Sequence, residues 1–354
     1  MNLDQLALGW LVLIFLGAAT AVWVAGIYVS HTTDILSSRL GLGEALGGML
    51  LLSIVTNLPE IAITASAALH HDLGIAIGNI LGGIAIQTVV LVVLDFFGLG
   101  KKDGLTYRAA SLGLVLEGLL VIAVLTMAIL GHELPSSLIY WRLTPATVGI
   151  VLVWLVGLYL VSKARKDLPW EKKGDAPGGQ ADARGHSKNK KTATQKMSTG
   201  LALAIFLAAA AVTLASGVSL ELSGEALAKH LGMSGVIFGA TVLAAATSLP
   251  EVSTGLASVK LGDYKLAMSD IFGGNAFLPV LFFLATLLSG EAVLPKAQRT
   301  DIYLTALGML LTCVYLCGLI FRPRRQIARL GIDSLAVLVI YAVGIAGLFA
   351  IAPG

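Results

Sequence analysis

The sequence TNLPE at residues 56–60 recurs as TSLPE at residues 247–251. In each copy a proline and a glutamate stand inside a long apolar stretch, where a helix breaker and a charge are both costly. The two motifs are 191 residues apart, and the same offset aligns residues 48–85 with residues 239–276 without a gap. The chain therefore contains an internal repeat, and each copy carries one unusual motif inside an apolar segment.

The composition predicts a membrane protein. The chain has 354 residues, of which 56% are hydrophobic and 13% are charged, whereas soluble domains carry about 25% charged residues. Apolar runs long enough to span a bilayer recur along the chain. The formal net charge of +3 gives no indication of a nucleic-acid partner. The bilayer is therefore the expected surrounding, and the fold class is an all-α polytopic membrane protein.

About ten spans are predicted, five on either side of a polar segment. They lie at residues 6–29, 43–69, 73–98, 109–131, 144–162, 199–220, 231–259, 264–289, 300–321 and 333–352. The first five-helix repeat is residues 1–162 and the second is residues 199–354. Residues 163–198 are rich in Lys, Gly, Ala and Asp and poor in apolar residues, which predicts a disordered basic linker.

The distribution of basic residues predicts the orientation. If the linker is cytoplasmic, 20 of the 24 Lys and Arg residues lie on that side, as the positive-inside rule requires. Both termini then lie outside, and localisation in the cell membrane is expected. Because each repeat has an odd number of spans, the second repeat is inserted upside down. Inverted repeats are typical of secondary transporters, whose sites lie near the midplane at broken helices.

The prolines indicate where such breaks occur. Pro59 and Pro250 each remove a backbone hydrogen bond from their span, and the carbonyl groups released by this need another partner, because lipid offers none. A cation can be that partner. Side-chain oxygens stand next to the breaks on Thr56, Asn57, Thr247 and Ser248.

Glu60 and Glu251 add the charge. A carboxylate inside a span marks a functional site by default, because its insertion costs about 2.5 kcal/mol or more. Two carboxylates with hydroxyl and carbonyl oxygens suit calcium, which takes about 6–8 oxygen ligands. The same oxygens can hold sodium, and a buried carboxyl group can also take a proton. Competition of two cations for one shared site is the physical basis of antiport.

At these residues the chain resembles the calcium/cation antiporter superfamily, the sodium/calcium exchangers and their relatives. The matching stretches are TNLPE at 56–60 with GNILGG at 78–83, and TSLPE at 247–251 with SDIFGG at 269–274. The resemblance implies that the two repeats face each other around a central ion site. It also implies that Glu60 and Glu251 are acidic ligands, that Thr56, Thr247 and Ser248 contribute oxygens, and that the first and sixth spans slide.

The sequence departs from the pattern of this superfamily at several positions. Gly83 and Gly274 replace a serine that lends an oxygen, while Gln87 and Leu278 stand where sodium-using exchangers often carry Asn or Asp. Asp270 replaces an asparagine and stands opposite Asn79, so both are candidate ligands, and Asp270 would add a third carboxylate.

The prediction is a secondary antiporter that exchanges calcium for sodium, with a calcium or other divalent cation/proton antiporter as the alternative. A passive cation channel is the alternative of another class, and the inverted repeat disfavours it. The sequence contains no HExxH, GxSxG or phosphate-loop motif, so an enzyme is not expected. The expected partners are the transported cations, Ca2+ with Na+ or H+, and the lipid bilayer. No cofactor is expected, and nothing indicates an oligomeric state.

Several acidic and histidine residues near span ends are expected to be solvated and without a special role. They are His70, His71, Asp72, Asp95, Asp301 and Asp333.

Overall fold

The structure, a computed structural model, describes residues 3, 6–39, 49–99, 103–166 and 197–351. Most of these residues are helical. The helices are α1 Leu8–Arg39, α2 Met49–Thr56, α3 Leu58–His70, α4 Leu73–Leu94, α5 Leu105–Ala109, α6 Leu112–His132, α7 Pro145–Lys166, α8 Thr199–Leu231, α9 Gly235–Phe238, α10 Ala244–Thr247, α11 Leu249–Lys260, α12 Tyr264–Phe277, α13 Leu281–Ser289, α14 Arg299–Phe321 and α15 Ile332–Ile351.

Short irregular elements join some of these helices. A π-helical turn at Asp95–Leu99 continues α4, and another at Gly239–Leu243 joins α9 to α10. A 3-10 turn at Leu278–Val280 joins α12 to α13, and a second, Leu294–Lys296, precedes α14. Before α15 the chain forms a two-stranded antiparallel hairpin, with β1 at Gln326–Ile327 and β2 at Leu330–Gly331.

Within the described residues, eight helical segments are long and apolar enough to cross a membrane. The bent assembly of α9, α10 and α11 is a ninth. The pair α2 and α3 is its equivalent in the first repeat by the 191-residue offset, so the described helices fit the predicted plan of about ten spans. Of the predicted linker, residues 163–166 end helix α7, and residues 167–196 lie outside the described residues.

Both motif spans are broken where the prolines predict a break. α2 ends at Thr56 and α3 begins at Leu58, with Asn57 between them at φ −85° and ψ 16°. In the second repeat, Ser248 separates α10 from α11, and the two parts of that span are bent by 42°. Each proline occupies the first turn of the helix after the break, where its missing N–H costs least.

The first and sixth spans are longer than predicted. α1 has 32 residues and α8 has 33, and they pack along each other. α8 continues through a polar last third because this part is buried against α3 rather than facing solvent: Glu221 and Ser223 are 0% exposed. Hydropathy alone assigns such a stretch to a loop.

Glycines let the two repeats pack closely against each other. A methyl group added to Gly82 of α4 would lie 2.2 Å from the Cα atom of Ala240, in the first part of the second broken span. A methyl group added to Gly273, which the 191-residue offset pairs with Gly82, would lie 2.5 Å from the Ser53 hydroxyl oxygen on α2. Each repeat thus packs one glycine-containing helix, called its glycine helix here (α4 in the first repeat and α12 in the second), against the broken span of the other repeat. The two inverted five-helix repeats are confirmed.

Contacts between span ends divide the connections into two faces. At one face, Arg39 binds Thr199, Asp95 binds Gly331 and Arg322 binds Tyr107. At the other face, His71 binds Glu291, Arg142 binds Leu288 and His132 binds Leu294. These groupings match spans that alternate in direction. Which face is cytoplasmic stays a prediction.

Candidate cation-binding site

The two motif glutamates face each other inside the protein. Glu60 stands in the first turn of α3 and Glu251 in the first turn of α11, where the positive end of each helix dipole favours a negative charge. Glu60 is 0% exposed and Glu251 is 1% exposed. The two carboxylates interact electrostatically with each other. The helix breaks therefore bring together the two acidic residues that the sequence singles out.

The motif threonines lie across the repeat boundary. Thr247 interacts with the Glu60 carboxylate, and Thr56 interacts with the Glu251 carboxylate. Each hydroxyl also lies within hydrogen-bonding distance of a carbonyl oxygen on its own helix, 3.3 Å for Thr56 to Ser53 and 3.2 Å for Thr247 to Ala244. When these protons point to the helix carbonyls, the lone pairs remain available to a cation.

Several buried oxygens of Gln87 and of the predicted ligands accept no hydrogen bond from the described part of the chain. They are Oε2 of Glu60, both carboxylate oxygens of Glu251, Oε1 of Gln87 and Oδ1 of Asn79. A buried carboxylate without a donor is strongly destabilising unless a positive charge compensates it. A hard cation with oxygen ligands fits this donor set.

Asp270 lies beside this pair. It is 3% exposed, it interacts electrostatically with Glu251, and its Oδ2 atom accepts a hydrogen bond of 3.1 Å from Thr254. The described residues contain no group of three or more Asp, Glu, His or Cys side chains close enough to hold a metal ion. A bound cation would therefore take its remaining ligands from hydroxyl, amide and backbone oxygens.

Asn57 and Gln87 make the first half of the site different from the second. The Gln87 amide nitrogen lies 3.3 Å from Oδ1 of Asn57 and 3.5 Å from Oε1 of Glu60. A methyl group added to Gly274 would lie 2.9 Å from Nδ2 of Asn57 and 3.3 Å from Oε1 of Gln87. The space that a serine would take at residue 274 is thus occupied by these two amides.

The equivalent positions in the second half are smaller or apolar. Ser248 pairs with Asn57 in the repeat, and its hydroxyl donates to the Ala244 carbonyl at 2.8 Å. Leu278 pairs with Gln87 and is 0% exposed. The sequence shows Gln87 only as a departure from the superfamily pattern. Its contact with Glu60 becomes visible only when α4 is placed against α3.

Two other asparagines have different surroundings. Asn79 is 0% exposed on α4, close to the Gly239 turn, and neither side-chain polar atom has a hydrogen-bond partner among the residues that the structure describes. Asn275 on α12 donates a hydrogen bond of 3.1 Å to the Thr88 hydroxyl. Oδ1 of Asn79 and Oδ1 of Asn275 are both buried without a hydrogen-bond donor among the described residues, so both oxygens are available to a ligand.

Comparisons with known proteins agree with this architecture. The model of the family described as "Sodium/calcium exchanger protein" matches residues 9–163 and 201–350. The inner membrane protein YrbG of Escherichia coli is 25% identical over 292 residues, which is 80% of this chain and 84% of that protein.

Two solved structures share the fold. The H+/Ca2+ exchanger CAX matches with a TM-score of 0.66 and 13% identity, covering 97% of this chain and 82% of the other. The sodium-calcium exchanger NCX_Mj matches with a TM-score of 0.59 and 16% identity, covering 97% and 99%. At such identities the likeness extends to the fold alone.

Proposed function

The chain belongs to the sodium/calcium exchanger family, and from this membership we propose that it exchanges calcium for a monovalent cation at the Glu60–Glu251 site. The family is one of transporters, so the protein is not an enzyme. The observation that carries the proposal is the pair of buried glutamates, one from each inverted repeat, with three of their four carboxylate oxygens accepting no hydrogen bond from the described residues. Two negative charges balance one calcium ion.

Both cations would use one set of oxygens. Calcium would take the two carboxylates together with oxygens of Thr56, Thr247 and Ser248. Asn57, which lies against Gln87, Asp270, which interacts with Glu251, and Asn79 would supply further oxygens or charge. A monovalent cation that occupies part of the same set displaces calcium by competition. If the site opens to one side at a time, this competition couples the two ion gradients.

Sodium is the counter-ion that we propose first, because the site contains hydroxyl and amide oxygens besides carboxylates. The proton is the second candidate, and one observation favours it. Leu278 places a buried apolar side chain where the other repeat has Gln87, and the Gln87 amide points a donor at Glu60. Both features reduce the number of oxygens available to sodium, whereas a proton needs only a carboxylate.

The movement that opens the site would involve α1 and α8. A methyl group added to Gly26 of α1 would lie 2.7 Å from the Pro250 side chain, and one added to Gly217 of α8 would lie 3.0 Å from the Pro59 carbonyl oxygen. Both long helices therefore touch the broken spans one residue before the glutamates. Sliding of these helices would change access to the site.

The test is calcium flux into vesicles that contain the purified protein. In a first set of vesicles, an outward sodium gradient should drive calcium uptake. In a second set, an outward proton gradient takes the place of the sodium gradient. Glu60→Gln and Glu251→Gln should abolish the driven uptake. Glu133→Gln is the matched control, because the Glu133 side chain is 77% exposed. Wild-type calcium flux that is independent of both gradients would exclude antiport and favour a passive cation channel.

We propose localisation in the cell membrane, with the face that carries Arg39, Tyr107 and Arg322 in the cytoplasm. The domain organisation proposed is two repeats, residues 1–162 and 199–354, joined by a cytoplasmic linker at residues 163–198. This orientation is tested with single cysteines placed in the linker or at the N-terminus of the protein. Intact cells that contain each variant are treated with a thiol reagent that does not cross the membrane. A labelled linker in intact cells would contradict it.

A further inference from the structure

Helix α8 faces α3 with a row of residues spaced four apart, outside the cation site. Gly217 lies against Pro59. One turn further on, about 5.4 Å along the axis, Glu221 lies against Ser66, and Glu225 follows in the next turn. Glu221 therefore stands on the surface along which α8 would slide, between the level of the motif and the end of α3.

A hydrogen-bonded chain links Glu221 to the protein surface. Oε2 of Glu221 accepts a hydrogen bond of 2.7 Å from the Ser66 hydroxyl, and the same hydroxyl lies 3.4 Å from Nδ1 of His70. The Glu221 side chain is 0% exposed, whereas the His70 side chain is 54% exposed. The other Glu221 oxygen, Oε1, has no hydrogen-bond partner among the described residues. A fully buried carboxyl group is thus connected by one hydroxyl to a solvated imidazole.

The groups around Glu221 are mostly acidic. The charges that act on it are those of His70, Glu225 and Asp72. Lys229 is bound to Glu225 at 2.5 Å. Burial raises the pKa of Asp72, at the end of the loop before α4, and the charge of Glu225 raises this pKa further. Such surroundings favour the binding of positive charge, and His70 lies 3.9 Å from Glu221.

This arrangement exists in one repeat only. The 191-residue offset pairs Glu221 with Ser30 and Ser66 with Ala257. The fold therefore forms the equivalent helix contact in the first repeat without a carboxyl group. A role in the architecture common to the two repeats does not account for Glu221.

We propose that Glu221, Ser66 and His70 form a proton-binding site, separate from the calcium site, that controls the movement of α8 along α3. A hydronium ion gives a proton to Nε2 of the His70 imidazole and leaves as water; the imidazolium gives its Nδ1 proton to the Ser66 oxygen while Ser66 passes its own proton to Oε2 of Glu221. The hydroxyl ends unchanged, the imidazole ends neutral as its other tautomer, and Glu221 gains the proton. The ionised carboxylate makes a charge-assisted hydrogen bond to Ser66, which is about twice as strong as a neutral one, so protonation loosens α8 from α3.

The first experiment measures proton binding without transport. Infrared spectra of the purified protein, recorded over a pH titration without calcium, should contain a carboxylic-acid C=O component that Glu221→Gln removes. Ser66→Ala should shift the titration midpoint of that component while leaving the carboxyl group in place. Titration spectra of Glu221→Gln identical to those of the wild type would overturn the proposal. Because no gradient is involved, failure of calcium exchange would leave this result unaffected.

The second experiment measures the consequence for α8. Flux in vesicles should depend on pH on the side where His70 is exposed, and Glu221→Gln should lose that dependence. Ser66→Ala, which makes this contact like that of the other repeat, should shift the pH profile. Glu133→Gln, an exposed acid beside His132 on the same face, should keep the wild-type profile. An unchanged pH profile in both Glu221→Gln and Ser66→Ala would refute control of α8 by this site.

Discussion

Replacing Gly82 by alanine tests the backbone contact that holds the glycine helix against the opposite repeat. The added methyl group would lie 2.2 Å from the Cα atom and 2.7 Å from the carbonyl oxygen of Ala240. Carbon atoms in contact normally lie about 3.5–4.0 Å apart, so the helices must separate by more than about 1 Å. The obstacle is backbone, which no side-chain rotation can remove.

The neighbouring glycine is the control. A methyl group added to Gly83 would meet only a Leu278 methyl group at 3.5 Å, an ordinary contact. Alanine in place of glycine stabilises a helix interior by up to about 1 kcal/mol, whereas overpacking costs about 1–3 kcal/mol. Gly83→Ala should therefore be neutral or slightly stabilising. Gly82→Ala should be destabilising, at or above the upper end of the overpacking range because of the short distance.

The assay is thermal unfolding in detergent, followed by the loss of the monodisperse peak in size-exclusion chromatography. Gly82→Ala should unfold at a lower temperature than the wild type, and Gly83→Ala should not. Because α4 also carries Asn79 and Gln87, Gly82→Ala should reduce calcium flux even below its unfolding temperature. Equal unfolding temperatures for the two variants would show that α4 does not approach residue 240 at backbone distance.

Three further predictions concern other contacts. Gly26→Ala should slow exchange in vesicles, because its methyl group would lie 2.7 Å from Pro250, whereas Gly17→Ala on the same helix meets nothing within 4 Å and should match the wild type. Asp95→Ala should lower the unfolding temperature, because it leaves the buried N–H groups of Leu105 and Gly331 without their acceptor. Each unpaired N–H group costs about 1–3 kcal/mol of stability. Asp103→Ala, which removes a partly exposed ion pair, should change the unfolding temperature little. Asp72→Asn should raise the unfolding temperature at pH 7, because the folded protein raises the pKa of Asp72 and so holds its proton more tightly than the unfolded chain does. The gain should decrease as the pH falls towards about 4 and vanish below about pH 3, where Asp72 is protonated in both states, and a gain that persists there would contradict the assignment.

The helix breaks and the span count were predictable from the sequence because their causes are local. A proline breaks the helix that contains it, and a long apolar run needs a bilayer wherever it packs. The inverted arrangement followed from an odd number of spans in each repeat. The convergence of Glu60 and Glu251 was expected from the resemblance to the exchangers, which implies that the two repeats face each other around a central site.

The surroundings of the site were not predictable, because they depend on packing between distant segments. Gly274 was read as the loss of a ligand. In the structure, Asn57 and Gln87 occupy the space that a serine would need there, so the missing hydroxyl is matched by two amides. No pattern within either repeat indicates that Asn57, Gln87 and Gly274 lie against one another.

The expectation that acids near span ends are solvated was wrong. Asp95 is 0% exposed and accepts backbone hydrogen bonds from Leu105 and Gly331. Asp301 is 1% exposed and forms a capping box with Gln298 at the start of α14. These carboxylates satisfy backbone donors that would otherwise be buried without a partner. Residue counting locates such acids near a span end but does not reveal which backbone donors they bind.

The two long helices differ in what ties them to the broken spans, although their glycine contacts are equivalent. On α1, the Trp23 indole donates a hydrogen bond to the Ser253 hydroxyl of α11. On α8, the Glu221 carboxyl group accepts one from Ser66 of α3. An indole–hydroxyl bond does not change between pH 5 and pH 8, whereas a carboxyl group can gain a proton. If both helices must move for the site to change sides, pH would act on the movement of α8 and not on that of α1, and the two repeats would respond to different conditions.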